Sequence, residues 1–413
     1  MNRVVITGIG AISPLGQDVQ TTWEKLLRGE SGIDYIKAFD TTRHTVKIAG
    51  EVKDFKPETK FDPKTLKRLD RVVQLSMWAA AEAIADSKID FKQCDPSQIG
   101  VIIGSGIGGL LTWEEEHTKY IQHGPGRVSP FLIPMMIPDM TSGYVAIQWG
   151  LKGPNYTITS ACASGAHSIG MAFKEIRYGK AQVVITGGSE APITPFALAG
   201  FSNMRALSRN PANPKTVSKP FDRDRDGFVI AEGAGIFVLE NLEFARQRGA
   251  RIYAEVAGFG ATGDGYHITA PAPDGEGARR AMAMALDDAG CKPADVDYIN
   301  AHGTSTDLND KYEIKAIRDL FGNQAAKIAV NSTKSMTGHT LGAAGAIEGI
   351  VSILSIIHGV THDNLNLANV DPECTGVDLI MGGSRSLSID YCLSNSLGFG
   401  GHNAAICFKK YAP

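Results

Sequence analysis

The 413-residue chain reads as a layered α/β protein made of two similar halves. Three observations predict this. Short apolar runs alternate with helical patterns from end to end. The runs are mostly continuous rather than alternating, which suits strands buried on both faces. The order of elements in residues 1–250 recurs in residues 251–413. The 46 glycines add close backbone approaches and tight strand-to-helix turns.

The predicted strands cover residues 4–6, 99–103, 183–185, 236–239, 252–256, 296–299, 328–330 and 404–408. The repeat is visible within them. Val5-Ile6-Thr7-Gly8-Ile9-Gly10-Ala11 resembles Val256-Ala257-Gly258-Phe259-Gly260-Ala261-Thr262. The strand and glycine turn near Gly104 parallel those near His302. A polar turn precedes a small-residue helix at 157–170 and again at 331–349. With a boundary near Arg251, the halves pack as a pseudo-dimer with a site where they meet. Residues 208–228 form a long polar connection, a kind of loop that is usually functional or tightly pinned.

Bulk properties exclude several classes. Charged residues make up 21% and the net charge is −3, which argues against nucleic-acid binding by bulk charge and confines any basic patch to a local surface. The apolar N-terminus soon meets Gly8, Gly10 and Pro14, too early for a secretory signal or a membrane span. Six scattered cysteines without a Cys-x-x-Cys pair suggest reduced thiols. The expected location is the cytoplasm, or an organelle interior after removal of a transit peptide.

Four elements carry candidate chemistry. In Thr157-Ile158-Thr159-Ser160-Ala161-Cys162-Ala163-Ser164-Gly165-Ala166 an extended segment leads to Cys162, and Gly165, Ala166, Ile169, Phe173 and Ile176 follow near helical spacing. Cys162 is therefore expected at or near a helix N-terminus. Free N–H groups and the helix dipole there favour a thiolate, lower the pKa from roughly 8.5, and can hold an oxyanion. The competing role is a buried cysteine filling a helix start. His302 leaves a strand into a Gly/Thr/Ser turn, and His339 opens a second small-residue helix, where the helix N-terminus favours neutral imidazole. A surface or capping histidine is the alternative for each. The loop Gly398-Phe399-Gly400-Gly401-His402-Asn403 offers a backbone N–H and an aromatic gate, or else a plain β-turn.

Other motifs fail on context. Gly104-Ser105-Gly106-Ile107-Gly108-Gly109 matches a dinucleotide glycine pattern, but Trp113-Glu114-Glu115-Glu116 follows instead of a second strand and a ribose-binding acid. Asp222-Arg223-Asp224-Arg225-Asp226-Gly227 starts like a calcium loop, yet the position for the bidentate Glu is Gly233. The sequence lacks the clustered Cys/His spacing of a zinc site, and no metal is expected.

In these segments the chain resembles the condensing enzymes, the β-ketoacyl-acyl carrier protein synthases of the elongating type II class. The resemblance covers essentially the whole chain, and Ala231-Glu232-Gly233-Ala234-Gly235 looks more like synthase II than synthase I. It implies the thiolase-like fold, a duplicated five-layer αβαβα arrangement, usually as a homodimer. It implies acyl transfer to Cys162, then decarboxylation of malonyl-acyl carrier protein and attack of the enolate on the acyl thioester. By resemblance, His302 and His339 stabilise the enolate oxygen and the N–H groups of Cys162 and Phe399 form the oxyanion hole. Lys334 supports the site, Thr304 and Thr306 contact the phosphopantetheine arm, and Ile107, Phe201 and Phe399 line or gate the acyl pocket. His402 stands where many bacterial members carry Thr. No cofactor is implied, since the phosphopantetheine arrives on the carrier-protein substrate; the partners are acyl carrier protein and acyl and malonyl thioesters, without nucleic acid or membrane. The competing functions are a polyketide ketosynthase with the same residues, a non-catalytic chain-length partner lacking the cysteine, and a degradative thiolase.

An acidic carrier protein needs a local cationic surface. Lys64, Lys67, Arg68 and Arg71 recur at i, i+3, i+4 and i+7, so a single helix presents them as one stripe with Leu66, Leu69 and Val73 inward. Arg205, on a neighbouring loop, is the expected companion.

Overall fold

The computed structural model describes residues 1–209 and 213–412; residues 210–212, inside the polar connection, lie outside the described residues. Eleven strands form one hydrogen-bonded sheet. They are β1 (Val4–Ile12), β2 (Ile99–Gly104), β3 (Asn155–Tyr156), β4 (Val183–Glu190), β5 (Gly233–Asn241), β6 (Ala254–Gly263), β7 (Tyr298–Asn300), β8 (Ala329–Asn331), β9 (Asp378–Leu379), β10 (Tyr391–Gly398) and β11 (His402–Lys410). Their order is β9-β8-β7-β10-β11-β6-β1-β5-β4-β2-β3.

The duplication is explicit in that order. Outward from the centre, β1-β5-β4-β2-β3 on one side matches β6-β11-β10-β7-β8 on the other. The pairing matches as well: β5 runs antiparallel to β1 and β4 while β2 runs parallel to β4 and β3, and β11, β10, β7 and β8 repeat this around β6. Only Val4↔Val256, Val5↔Glu255 and Ile6↔Ala254 join the two halves edge to edge.

Helices complete the layers. The principal ones are α1 (Arg71–Ser87), α2 (Met140–Trp149), α3 (Ser164–Arg177), α4 (Glu276–Ala289), α5 (Asp307–Phe321) and α6 (Ala344–His358). Helices α1 and α2 cover the outside of the first half and α4 and α5 the outside of the second, while α3 and α6 meet between them, which gives the five-layer αβαβα stack. The stretch Leu341–His358 is long and apolar enough to cross a membrane, but it is 89% buried and forms part of the core.

Glycines set the distance between layers. A Cβ on Gly8 or Gly10 would lie 2.2 Å from the Ala83 carbonyl oxygen or 2.1 Å from that of Ala79, and one on Gly258 or Gly260 would lie 2.2 Å from the Ala285 oxygen or 1.9 Å from that of Ala281. The repeated glycine pair thus lets α1 and α4 press against β1 and β6 in the same way. Carboxylates on those helices then catch freed strand amides: Glu82 and Asp86 accept from the Ala11 and Ile9 N–H groups, and Asp288 from that of Phe259.

Two expectations are corrected. The cationic stripe does not lie on one helix. A short helix, Pro63–Leu66, ends before Asp70, whose side chain caps α1 by accepting the Val72 N–H. The capping aspartate starts a new axis, so the i, i+7 relation is lost. Arg71 turns inward to a bidentate pair with Glu232, 2.7 Å on each arm. Lys64, Lys67 and Arg68 remain exposed, and Leu66, Leu69 and Val73 are buried as expected. The other correction is in the strands: β3 and β9, each of two residues, and the much longer β10 are absent from the predicted set. The Ser394-Asn395-Ser396 run of β10 looks like loop sequence, yet all three are buried.

Gly260→Ala and Gly10→Ala each force a methyl group into a helix carbonyl, and overpacking of this kind costs about 1–3 kcal/mol. Chemical denaturation is expected to show both losses, with Gly200→Ala, on an open face of the helix Pro195–Asn203 where no atom lies within 4 Å, close to neutral. Unchanged midpoints for the first two would contradict this account of the layer spacing.

Candidate active site

The site forms where equivalent turns of the two halves face each other. Cys162 lies between β3 and α3, and His339 between β8 and α6, so the same connection supplies a thiol in one half and an imidazole in the other. Helices α3 and α6 bring them together. A Cβ on Gly345 would lie 2.9 Å from the Ala166 Cβ, and one on Gly165 would lie 2.8 Å from the Gly342 oxygen. The Nε2 of His339 is 3.0 Å from the Cys162 Sγ.

The cysteine turn is held tightly. Ala161 has φ +50°, a conformation uncommon for a residue with a Cβ. Ser164 Oγ accepts the Ser160 N–H at 2.9 Å and donates to the Ala161 carbonyl at 2.7 Å. His167 Nδ1 is 2.7 Å from Ser160 Oγ. The N–H groups of Phe399 and of Cys162 itself act on the sulfur, and both stabilise its anion.

The hydrogen bonds fix the histidine tautomers. The Leu341 N–H donates to His339 Nδ1 at 3.3 Å, so that nitrogen carries a lone pair and Nε2 carries the proton. Buried Lys334 has three acceptors for the three N–H bonds of an ammonium: the His302 carbonyl at 2.6 Å, His302 Nδ1 at 3.2 Å and Glu348 Oε1. His302 Nδ1 is thus also an acceptor, leaving a proton on Nε2. The two rings stand edge to face with centroids 5.3 Å apart. Burial and then the charge of Lys334 hold both imidazoles well below the ordinary histidine pKa, with His339 adding to the effect at His302. They are neutral N–H donors at pH 7.

Two electrostatic expectations change. Burial pushes the Cys162 thiol up to about 12, with Glu190 also raising it, while Lys334 and the two backbone N–H groups act in the opposite direction. Desolvation outweighs the helix N-terminus, which begins only at Ser164. For His339, α6 begins five residues later, at Ala344, so burial and Lys334 account for its neutrality rather than the helix end.

A cavity of about 550 Å³ joins the predicted residues, with Ile107, Cys162, Phe201, Arg205, His302, Thr304, Thr306, His339 and Phe399 on its wall. Lys334 is buried behind His302. Thr304 and Thr306 hydroxyls lie 2.8 Å apart. Lys64, Lys67 and Arg68 are absent from the wall; the Arg68 guanidinium lies 4.7 Å from the Phe131 ring centroid. The ligand atoms of Cys162, His302 and His339 lie within 4.8 Å of one another, a cluster that sequence spacing does not reveal. Their Nε2 protons point the two rings toward donating rather than ligating.

Sequence reasoning missed several contributors. Phe228 packs edge-on against both His339 and Phe201, with centroids 5.2 and 5.6 Å away. Glu190 accepts from the N–H groups of Gly106, Ile107 and Gly342 and from Ser105 Oγ. Glu313 accepts from the His302 and Gly303 N–H groups. A lone acid after the apolar run 183–185 and its Thr-Gly-Gly-Ser continuation, as Glu190 is, offers little signal in the sequence.

A duplicated thiolase-like core with a Cys–His–His centre on its pseudo-twofold defines a condensing enzyme, and the chain belongs to the beta-ketoacyl synthase family: the N-terminal and C-terminal domain models of that family match residues 1–245 and 253–368. It is 54% identical to the 3-oxoacyl-[acyl-carrier-protein] synthase 2 of Staphylococcus aureus over 99% of this chain and 98% of that protein. Among solved structures it is similar to a beta-ketoacyl synthase from Burkholderia phymatum, with a TM-score of 0.93, 34% identity and complete coverage of both chains. It is also similar to a type II polyketide ketosynthase solved with its acyl-carrier protein, with a TM-score of 0.92, 34% identity and coverage of 99% and 100%.

The pH dependence of Cys162 alkylation by iodoacetamide tests the electrostatics. The midpoint is expected above that of a free thiol. Lys334→Met, which removes a cation that lowers the thiol pKa, is expected to move it higher still. A rate already at plateau near pH 7, or a downward shift in Lys334→Met, would contradict the assignment.

Proposed function

We propose that this protein is an elongating 3-oxoacyl-acyl carrier protein synthase of fatty-acid synthesis, adding two carbons by decarboxylative condensation. The observation that carries this is the convergence of one thiol, two neutral Nε2–H donors and two backbone N–H groups on one cavity. The S. aureus relative's name supports the choice of pathway. The 34% likeness to a polyketide ketosynthase favours the same chemistry on another pathway, at a greater distance. Cys162 argues against a non-catalytic chain-length partner. Donors aimed at an enolate, with no base needed, favour decarboxylation over degradative cleavage.

Each residue has a step. Cys162 sulfur attacks the acyl thioester carbonyl; its proton leaves with the carrier thiol, and an acyl-enzyme remains. The N–H groups of Cys162 and Phe399 hold the oxyanion. Malonyl thioester then enters with its phosphopantetheine arm against Thr304 and Thr306. Its C–C bond to the carboxylate breaks, carbon dioxide leaves, and the electron pair is held on the thioester oxygen by the Nε2–H donors of His302 and His339. The enolate carbon attacks the acyl carbonyl and expels Cys162 as thiolate. Lys334 keeps the His302 proton on Nε2. Ile107, Phe201 and Phe399 line the acyl pocket, with Phe399 on the loop that gates it. The reaction uses no resident cofactor or metal.

The partner is acyl carrier protein, received on exposed Lys64, Lys67 and Arg68 and on Arg205 at the cavity wall. The enzyme works as a homodimer in the cytoplasm or an organelle interior. Dimerisation is supported by exposed Tyr120, Ile121, Phe131, Ile133 and Ile147, in the segment leading to edge strand β3.

Incubation with acyl-acyl carrier protein should place the acyl group on Cys162, as read by intact mass and peptide mapping; acylation that persists in Cys162→Ala overturns the mechanism. Cys162→Gln should lose condensation and keep malonyl decarboxylation, which adding His302→Ala or His339→Ala should suppress.

Exposed charges are individually worth on the order of 1 kcal/mol or less and are screened by salt. Combined Lys64→Glu, Lys67→Glu and Arg68→Glu is therefore expected to raise the apparent KM for carrier-bound substrates at low salt and to spare small thioesters. Unchanged kinetics with the carrier would remove this surface from the account.

A further inference from the structure

The segment Asp222–Gly227, which fails as a calcium loop, is built around a buried arginine. The Arg225 side chain is 1% exposed. Its Nε donates to the Thr306 carbonyl at 2.9 Å, and its terminal nitrogens to the Asp307 and Asp222 carbonyls, both at 2.8 Å. It pairs with Asp371 at 2.6 Å and with Asp310 and Asp307 at 3.6 Å. Buried Asp310 in turn accepts the Thr304 N–H and the Phe221 N–H, both at 2.9 Å. The Gly227 N–H donates to the Ser305 carbonyl at 3.0 Å, and Ser305 sits at φ +67°. The backbone of residues 304–307 is thus held from outside by the side chains of Arg225 and its partner Asp310 and by the Gly227 N–H, while the Lys219 N–H holds the Ser305 hydroxyl.

A buried guanidinium is costly unless its donors are paired, and its planar fork matches several acceptors at once in a way an ammonium cannot. Such an investment beside a cavity wall fits a demand for precise placement. The groups placed are the Thr304 and Thr306 hydroxyls, 2.8 Å apart on the cavity wall. We infer that Arg225, acting through Asp310 and the Thr306 carbonyl, is the positioning residue that presents the Thr304 and Thr306 hydroxyls to the pantetheine arm of the substrate. The inference rests on the proposed function, which puts that arm against these threonines. Arg225 is part of the cavity wall, but its side chain is 1% exposed and its donors are turned to the carbonyls behind the threonines, so its effect falls on arm binding and leaves the reactivity of Cys162 alone.

The test is a mutant cycle with two substrates. Arg225→Lys, the Thr304→Val/Thr306→Val pair and their combination are assayed with acyl-acyl carrier protein and with an acyl thioester lacking the pantetheine arm, and Cys162 alkylation by iodoacetamide is measured in each. Arg225→Lys should raise KM for the carrier-bound substrate about tenfold, the size of one lost hydrogen bond to substrate, with kcat changed much less. It should leave the armless thioester and alkylation within about twofold of the parent, and add no further loss in the valine background. Asp371→Asn, at the edge of the network, should show the same pattern more weakly and carries the cycle where Arg225→Lys does not fold. A loss that is additive with the valine pair, or that extends equally to alkylation, overturns the inference. If the valine pair alone leaves carrier-bound KM unchanged, the arm site in the proposed function fails first, and the inference with it.

Discussion

The close contact between α3 and α6 is the constraint on which the rest depends. Each helix starts just after a turn that carries a reactive side chain, and each is bare of side-chain bulk where they meet. Ala166 faces Gly345, and Gly165 faces Gly342 and Ala346. With a Cβ at these glycines the helices would stand further apart, and the Cys162–His339 distance would open with them. The outer layers follow the same economy, since the glycine pairs of β1 and β6 seat α1 and α4. The duplication thus does more than enlarge the core: it brings two copies of one strand–turn–helix unit face to face, one supplying the Cys162 thiol and the other the His339 imidazole and the buried Lys334.

Electrostatics then decides what this geometry can do. Burial disfavours charge on the thiol and on both imidazoles, and Lys334, the cation that acts on all three, is held by three acceptors. A site of this kind has no strong base to offer. It offers directed N–H groups, which suits chemistry in which loss of carbon dioxide generates the carbanion. Lys334 does two things at once. Its charge opposes protonation of the histidines, and its position determines which nitrogen of His302 bears hydrogen. Glu348 and Glu313, behind them, hold Lys334 and the His302 turn.

Much of this was legible in the sequence, for identifiable reasons. Continuous apolar runs are a strong signal for buried strands, and the Gly-x-Gly repeat in β1 and β6 reports the same helix contact twice. Cys162, His302 and His339 each sit in a turn beside a small-residue run, a local pattern visible without coordinates. What was not legible is what depends on the third dimension. The strand β10 hides behind Ser394-Asn395-Ser396, because local polarity says nothing of a burial imposed by its neighbours. The cationic stripe failed because Asp70 acts as a helix cap, which periodicity alone does not weigh. The raised pKa of Cys162 could not be read from its position near a helix start, since burial is a property of the assembled halves. Glu190, Phe228 and Arg225 reach the site from segments far away in sequence.

The central claim is that His302 and His339 are neutral and protonated on Nε2 in the resting site. Nitrogen-15 NMR of selectively histidine-labelled protein, assigned with His302→Ala and His339→Ala, measures this directly. The account predicts that both residues show a protonated Nε2 and an unprotonated Nδ1 across pH 6–8. An imidazolium at either position in that range, or a proton on Nδ1, would contradict it.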